Sequence, residues 1–134
     1  MIISHKKPPH YLLLKWVFGF DWGRNVATFG DTIYFRVGSI PEHLMRHEKT
    51  HLKQQKFSKV YAVWWWAKYL VSKKFRYKQE LEAYQAQWNF CVLNYYIKER
   101  QEILKKIAGD LSGRLYGNLT TYDKAVRDII RCHD

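Results

Sequence analysis

His47-Glu48-Lys49-Thr50-His51 puts two imidazoles and a carboxylate within five residues. Residues four apart lie on one helix face about a turn from each other, so both imidazoles can reach one tetrahedral Zn²⁺. Glu48 then projects beside the metal, where a carboxylate can accept a proton from water activated there. With six His and six Glu in 134 residues, chance supplies about 0.01 such matches per chain. His43 extends the spacing to i, i+4, i+8, but His43 and His51 stand about 12 Å apart along a helix axis, too far for one ion. A His43–His47 pair would have Leu44 in the base position, and leucine moves no proton. The pair is therefore His47 and His51, with Glu48 as general base and His43 half-exposed near the mouth of the site.

A catalytic metal site needs a third protein ligand and leaves a position for water. The stretch Gln79-Glu80-Leu81-Glu82-Ala83-Tyr84 offers two carboxylates, about 200° apart on a helix, so at most one faces the histidines. Glu80 shares its side with Tyr77, Leu81, Tyr84, Trp88 and Cys91, an apolar stripe. Glu82 shares its side with Lys78, Gln79, Gln85 and Asn89. A carboxylate on a buried stripe is costly unless it is paired or bound to a cation. Glu80 is the expected ligand and Glu82 the fallback.

These residues need a framework that presents them. Residues 26–29 and 32–37 read as strands joined by a Gly30-Asp31 hairpin turn, while 11–20 fits either a strand or a short helix. Ser39 and Glu42 form a capping-box pattern with Pro41 in the first turn, starting a helix that runs to about Lys56 and carries the histidines. Ser58 caps a second helix ending near Lys73–Lys74. A third covers about 77–108 with Gly109 as its terminator. Residues 110–119 read as a loop, and Thr120 with Asp123 opens a last helix to about Cys132. The apolar run 60–71 reads as a buried packing helix, with a helix lying on a membrane surface as the alternative. Strands followed by helices make an α+β fold, mostly helical, in one domain over residues 1–134.

The motif with its downstream glutamate resembles the gluzincins, metallopeptidases whose zinc is held by two histidines and a glutamate, and in particular the minimal gluzincins. It is also similar to the soluble core of membrane-associated peptidases bearing H-E-x-x-H and E-x-x-A-D motifs. The matching pieces are Thr32-Ile-Tyr-Phe35, His47-Glu-Lys-Thr-His51, Gln54 and Glu80-Leu-Glu-Ala-Tyr84, within about 25–90. The resemblance implies a zincin-like domain with a small N-terminal β-sheet packed on the histidine helix. It also implies Zn²⁺ on His47, His51 and Glu80, and hydrolysis of a peptide or protein substrate with Glu48 as base. One position departs: Tyr84 stands where the group often has an Asp supporting a zinc-binding histidine, and a phenol can accept the imidazole N–H without a negative charge. The residue that stabilises the oxyanion is to be found among Tyr77, Tyr84, Tyr116 and His43.

The formal charge of +11 invites a nucleic-acid reading, but no recognition motif accompanies it. Specific nucleic-acid binding is not expected, and the charge reads as a surface that attracts an acidic substrate or an anionic membrane. A zinc site without catalysis is the remaining rival, and Glu48 argues against it, since a structural site has no use for a base. Cys91 and Cys132 are too few for a disulfide framework, pointing to a reducing compartment. With no export segment and no apolar run of the roughly twenty residues a span requires, the expected location is cytoplasmic, with peripheral membrane association open. Cys132-His133-Asp134 reads as a fraying or packing terminus rather than a ligand set.

Overall fold

In the computed structural model, residues 1–36 and 38–131 are described; Val37 and the Cys132-His133-Asp134 terminus lie outside them. The chain runs β1 (Ile2–Ser4), α1 (Tyr11–Phe18), β2 (Ala27–Phe29), β3 (Thr32–Tyr34), α2 (Glu42–Gln54), α3 (Lys59–Val71), α4 (Lys73–Asn94), α5 (Ile97–Ser112), a 3₁₀ turn (Arg114–Tyr116) and α6 (Tyr122–Ile130). This is a mostly helical α+β fold with a three-stranded sheet in the order β1-β3-β2. β2 and β3 form the expected hairpin, with Phe29 opposite Thr32 and Gly30 at φ +66° in the turn. β1, which the sequence did not reveal, pairs parallel to β3. The undecided 11–20 stretch is helical, closed by Gly19 in a left-handed conformation.

The helix carrying the motif starts later than the capping pattern implies. Pro41 is its cap residue, extended at ψ 144°, and no side chain caps it. The reason is local: proline disfavours α conformation in the residue before it, so Ile40 cannot open a helix capped by Ser39. α2 ends at Gln54, and Lys56 and Phe57 both take positive φ to turn the chain into α3. Ser58 caps α3 through the Tyr61 N–H (3.2 Å), as expected.

The long third helix is two helices. Ser72 caps α4 through the Phe75 N–H (3.1 Å), extending it N-terminally. Tyr95 and Tyr96 are extended and let α5 fold back over α4. That fold-back buries Leu104, Ile107, Ala108 and Leu111 against Tyr84, Trp88 and Cys91. No glycine or proline marks the break, so packing sets it. Gly109 lies inside α5, which continues through the predicted loop to Ser112 and ends at Gly113. Thr121, not Thr120, caps α6 through the Lys124 N–H.

The 60–71 run differs most from its reading as a buried helix. Only Ala62, Trp65 and Tyr69 of α3 are buried, while Val60, Val63, Trp64 and Val71 are exposed. α2 lies between the sheet and α4: Leu52 joins Ile33 and Phe35 in a small core. The buried Gln55 amide accepts the Gly30 N–H (2.6 Å) and donates to the Thr28 carbonyl (3.3 Å), tying the end of α2 to the hairpin.

Candidate metal centre

Positions 47 and 51 face α4 from one side of α2, and α4 returns Glu80 to meet them. His47 Nε2 and His51 Nε2 are 3.1 Å apart, and Glu80 Oε2 lies 3.3 Å from the first and 3.4 Å from the second. All three side chains are buried. They form a group able to hold a metal ion, each supplying one ligand atom. Glu82 is exposed and contacts the Gln54 amide at 3.4 Å, so Glu80 is the carboxylate brought to the histidines.

The donor set fits a cation. Glu80 Oε2 is buried with no hydrogen-bond partner among the described residues, an expensive state unless something positive meets it. Two imidazole nitrogens converge on that oxygen, leaving three electron-rich atoms around one point. Burial alone would lower the His51 pKa, but the adjacent Glu80 carboxylate raises it to about 9, with Glu48 and Gln54 assisting. Burial would raise the Glu80 pKa, yet His51 and His47 hold it well below the usual carboxylate range.

The surrounding groups orient the ligands. His51 Nδ1 donates to Gln54 Oε1 (2.8 Å), which fixes the tautomer that leaves Nε2 free as a ligand. The Gln54 amide is held in turn by the Gln79 carbonyl (3.0 Å). The Tyr69 hydroxyl donates to Glu80 Oε1 at 2.5 Å. Tyr84 does not support a histidine N–H as its position implied. Its ring packs on the His47 ring (centroids 4.3 Å apart), its hydroxyl bonds that of Tyr116 (2.7 Å), and among the described residues His47 Nδ1 has no hydrogen-bond partner.

Glu48, also buried, accepts the Thr28 hydroxyl on Oε2 at 2.6 Å. With the three ligands it lines a cavity of about 170 Å³. Leu14, Phe18, Phe20 and Trp66 give that cavity an apolar wall, and Tyr69, Tyr84 and Tyr116 a phenolic one. Burial and then the Glu80 charge raise the pKa of all three phenols well above normal, so they are protonated donors.

Of the four oxyanion candidates, Tyr84 and Tyr116 line the cavity. Tyr77 instead bonds Asp128 on α6. His43 bonds Gln87 (2.7 Å) and is not among the lining residues. Buried Arg76 secures the phenolic side. Its guanidinium donates to the carbonyls of Tyr69 (2.9 Å) and Leu70 (2.8 Å) in the last turn of α3, and to that of Tyr116 (2.8 Å).

Sequence reading did not single out Thr28, Tyr69 or Arg76. Thr28 and Tyr69 reach the site from other elements, and Arg76, one turn before Glu80 on α4, acts through backbone carbonyls that no local spacing marks. Comparison with protein-family models, curated proteins and solved structures finds no match to this chain. Among the described residues, no helix is long and apolar enough to cross a membrane.

Proposed function

We propose that the chain is a zinc metallopeptidase, with zinc on His47, His51 and Glu80 and with Glu48 as general base. The observation that carries this reading is the convergence of two imidazole nitrogens on a buried carboxylate oxygen, in a cavity that Glu48 also lines. Two imidazoles and one carboxylate suit zinc, which takes nitrogen and oxygen ligands tetrahedrally. Zinc bound there would polarise a substrate carbonyl and acidify a water molecule.

Glu48 takes the proton from the attacking water and passes it to the leaving amine. Thr28 holds one oxygen of Glu48 and so aims the other. In the protonated Tyr84–Tyr116 pair one hydroxyl donates to the other, leaving one hydrogen-bond donor for the negative charge that develops on the carbonyl oxygen. A cavity of about 170 Å³ is smaller than the roughly 300 Å³ at which small-molecule pockets begin. It accommodates the reacting group and one neighbouring side chain, so the rest of a peptide runs outside it. The apolar wall favours an apolar side chain there.

The test pairs metal analysis with peptide cleavage. Wild type is expected to carry one zinc per chain and to cleave a mixed peptide library. Glu48→Gln should keep the metal and lose activity by about 10²–10⁴-fold. Glu80→Ala should lose tight zinc binding, whereas Glu82→Ala should not. Stoichiometric zinc in a wild-type protein that cleaves nothing beyond the Glu48→Gln background would sink the peptidase reading.

A further inference from the structure

The charge of this chain is segregated. Residues 1–20 and 49–79 contain twelve of the 23 Lys and Arg and none of the 12 Asp and Glu, which leaves the remainder within one charge of neutral. Ten of those twelve cations are exposed. The two stretches include α1 and α3 entire, and the same helices turn apolar side chains outward. Leu12, Trp16 and Val17 on α1 are 67%, 85% and 50% exposed, and Val60, Val63 and Trp64 on α3 are 86%, 63% and 52% exposed. The helices adjoin: the ring of His10, at the cap of α1, packs at a tilt against Trp66 (centroids 4.3 Å apart), and Phe18 meets Tyr69 (5.7 Å). Their inner sides line the cavity, through Leu14, Phe18, Trp65 and Trp66. The outer sides contribute nothing to any core.

Large apolar groups exposed together mark a binding surface, and the charge pattern selects the occupant. A second copy docking through the same face would set lysine against lysine. A nucleic acid would use the cations, but Leu12, Val17, Val60 and Val63 have no flat face for a base and would stay in water. Tryptophan, aliphatic side chains and lysine on one surface suit the boundary between lipid headgroups and acyl chains, where rings and chains enter and ammonium groups stay outside. Lys68 already takes that posture, its Nζ 4.6 Å from the centres of both the Trp64 and Phe75 rings.

We propose that the outer faces of α1 and α3 form a docking surface for an anionic lipid bilayer. Trp16, Leu12 and the α3 valines enter the interface, and the flanking lysines, Lys73 and Lys74 among them, meet lipid phosphates. The cavity then sits directly behind the lipid-facing layer. This inference is independent of the peptidase reading, because lipid binding and cleavage are read separately.

The experiment is flotation of the purified full chain with vesicles of phosphatidylcholine alone or mixed with phosphatidylglycerol, at physiological salt. Anionic vesicles should carry the protein at least about tenfold better than neutral ones. Trp16→Ser/Val63→Ser and, separately, Lys73→Glu/Lys74→Glu should each reduce flotation about tenfold or more, with far-ultraviolet circular dichroism unchanged. One readout needs no variant: lipids brominated on the acyl chain should quench the tryptophan fluorescence of the wild type. Failure to float with anionic vesicles, or absence of quenching, overturns the proposal. So does full binding by a folded Trp16→Ser/Val63→Ser protein, or a solution dimer that this pair of changes dissolves.

Discussion

Glu80 Oε1 accepts from the Tyr69 hydroxyl at 2.5 Å, while Oε2 faces both imidazole nitrogens, so one carboxylate has a fixed oxygen and a working one. Removing that donor should loosen the ligand without unpacking the core, because the Tyr69 ring also stacks on Trp65 (5.0 Å). On the zinc reading proposed above, Tyr69→Phe is therefore expected to weaken zinc binding about 10–100-fold, as measured by competition with a chromophoric chelator, with the fold intact. Unchanged affinity would show that the hydroxyl is irrelevant to the site. At this scale much was legible in the sequence. His47, Glu48 and His51 follow from spacing within one helix, and Glu80 over Glu82 from the cost of burying a carboxylate on an apolar stripe. Tyr69 and Thr28 were not, since their partners lie 11 and 20 residues away across turns whose geometry no local pattern sets. Tyr84 misled because its position suggested support for a histidine, whereas packing turned its hydroxyl toward Tyr116.

Between elements, the joint most exposed to pH is His10. It stands at the cap position of α1 and lies between Phe29 of the hairpin and Trp66 of α3, with neither ring nitrogen hydrogen-bonded among the described residues. Burial lowers its pKa from 6.5 to about 4. A depressed folded-state pKa means that the unfolded chain takes up the proton first, so stability is full above pH 6.5 and is lost as pH falls toward 4. The loss is about 3 kcal/mol at one pKa unit per 1.36 kcal/mol. Urea unfolding of wild type and His10→Phe at pH 7.5 and 4.5 should show the wild type losing more on acidification by about that amount; equal losses would mean that the ring is accessible to water. Elements were legible where a cap or turn announced them, as at Ser58 and Gly30-Asp31. They were not where distant packing decided, as at the Tyr95–Tyr96 break. β1 was hidden for a similar reason: three residues carry no periodicity, and only β3 makes them a strand.

Across the whole molecule, the metal group joins α2 to α4, so whatever ion occupies it binds the folded chain and not the unfolded one. Such an ion stabilises the fold by about 3 kcal/mol at a concentration a hundredfold above its Kd, or on the order of 10 °C for a chain this size. Chelation should lower the melting temperature by roughly that much, and added zinc should restore it, as calorimetry would read. An unchanged transition would mean that no tightly held metal contributes. The Arg76 guanidinium ties two further parts of the site together, through the carbonyls of Tyr69, Leu70 and Tyr116. The 114–116 turn cannot swing away from the cavity without leaving that buried cation short of an acceptor. The same side chain, through Nε and Nη2, braces the last turn of α3, from which Tyr69 grips Glu80. The turn and the grip on Glu80 are therefore pinned to one side chain: a bulky chain that displaces the turn pulls on the same guanidinium that braces Tyr69.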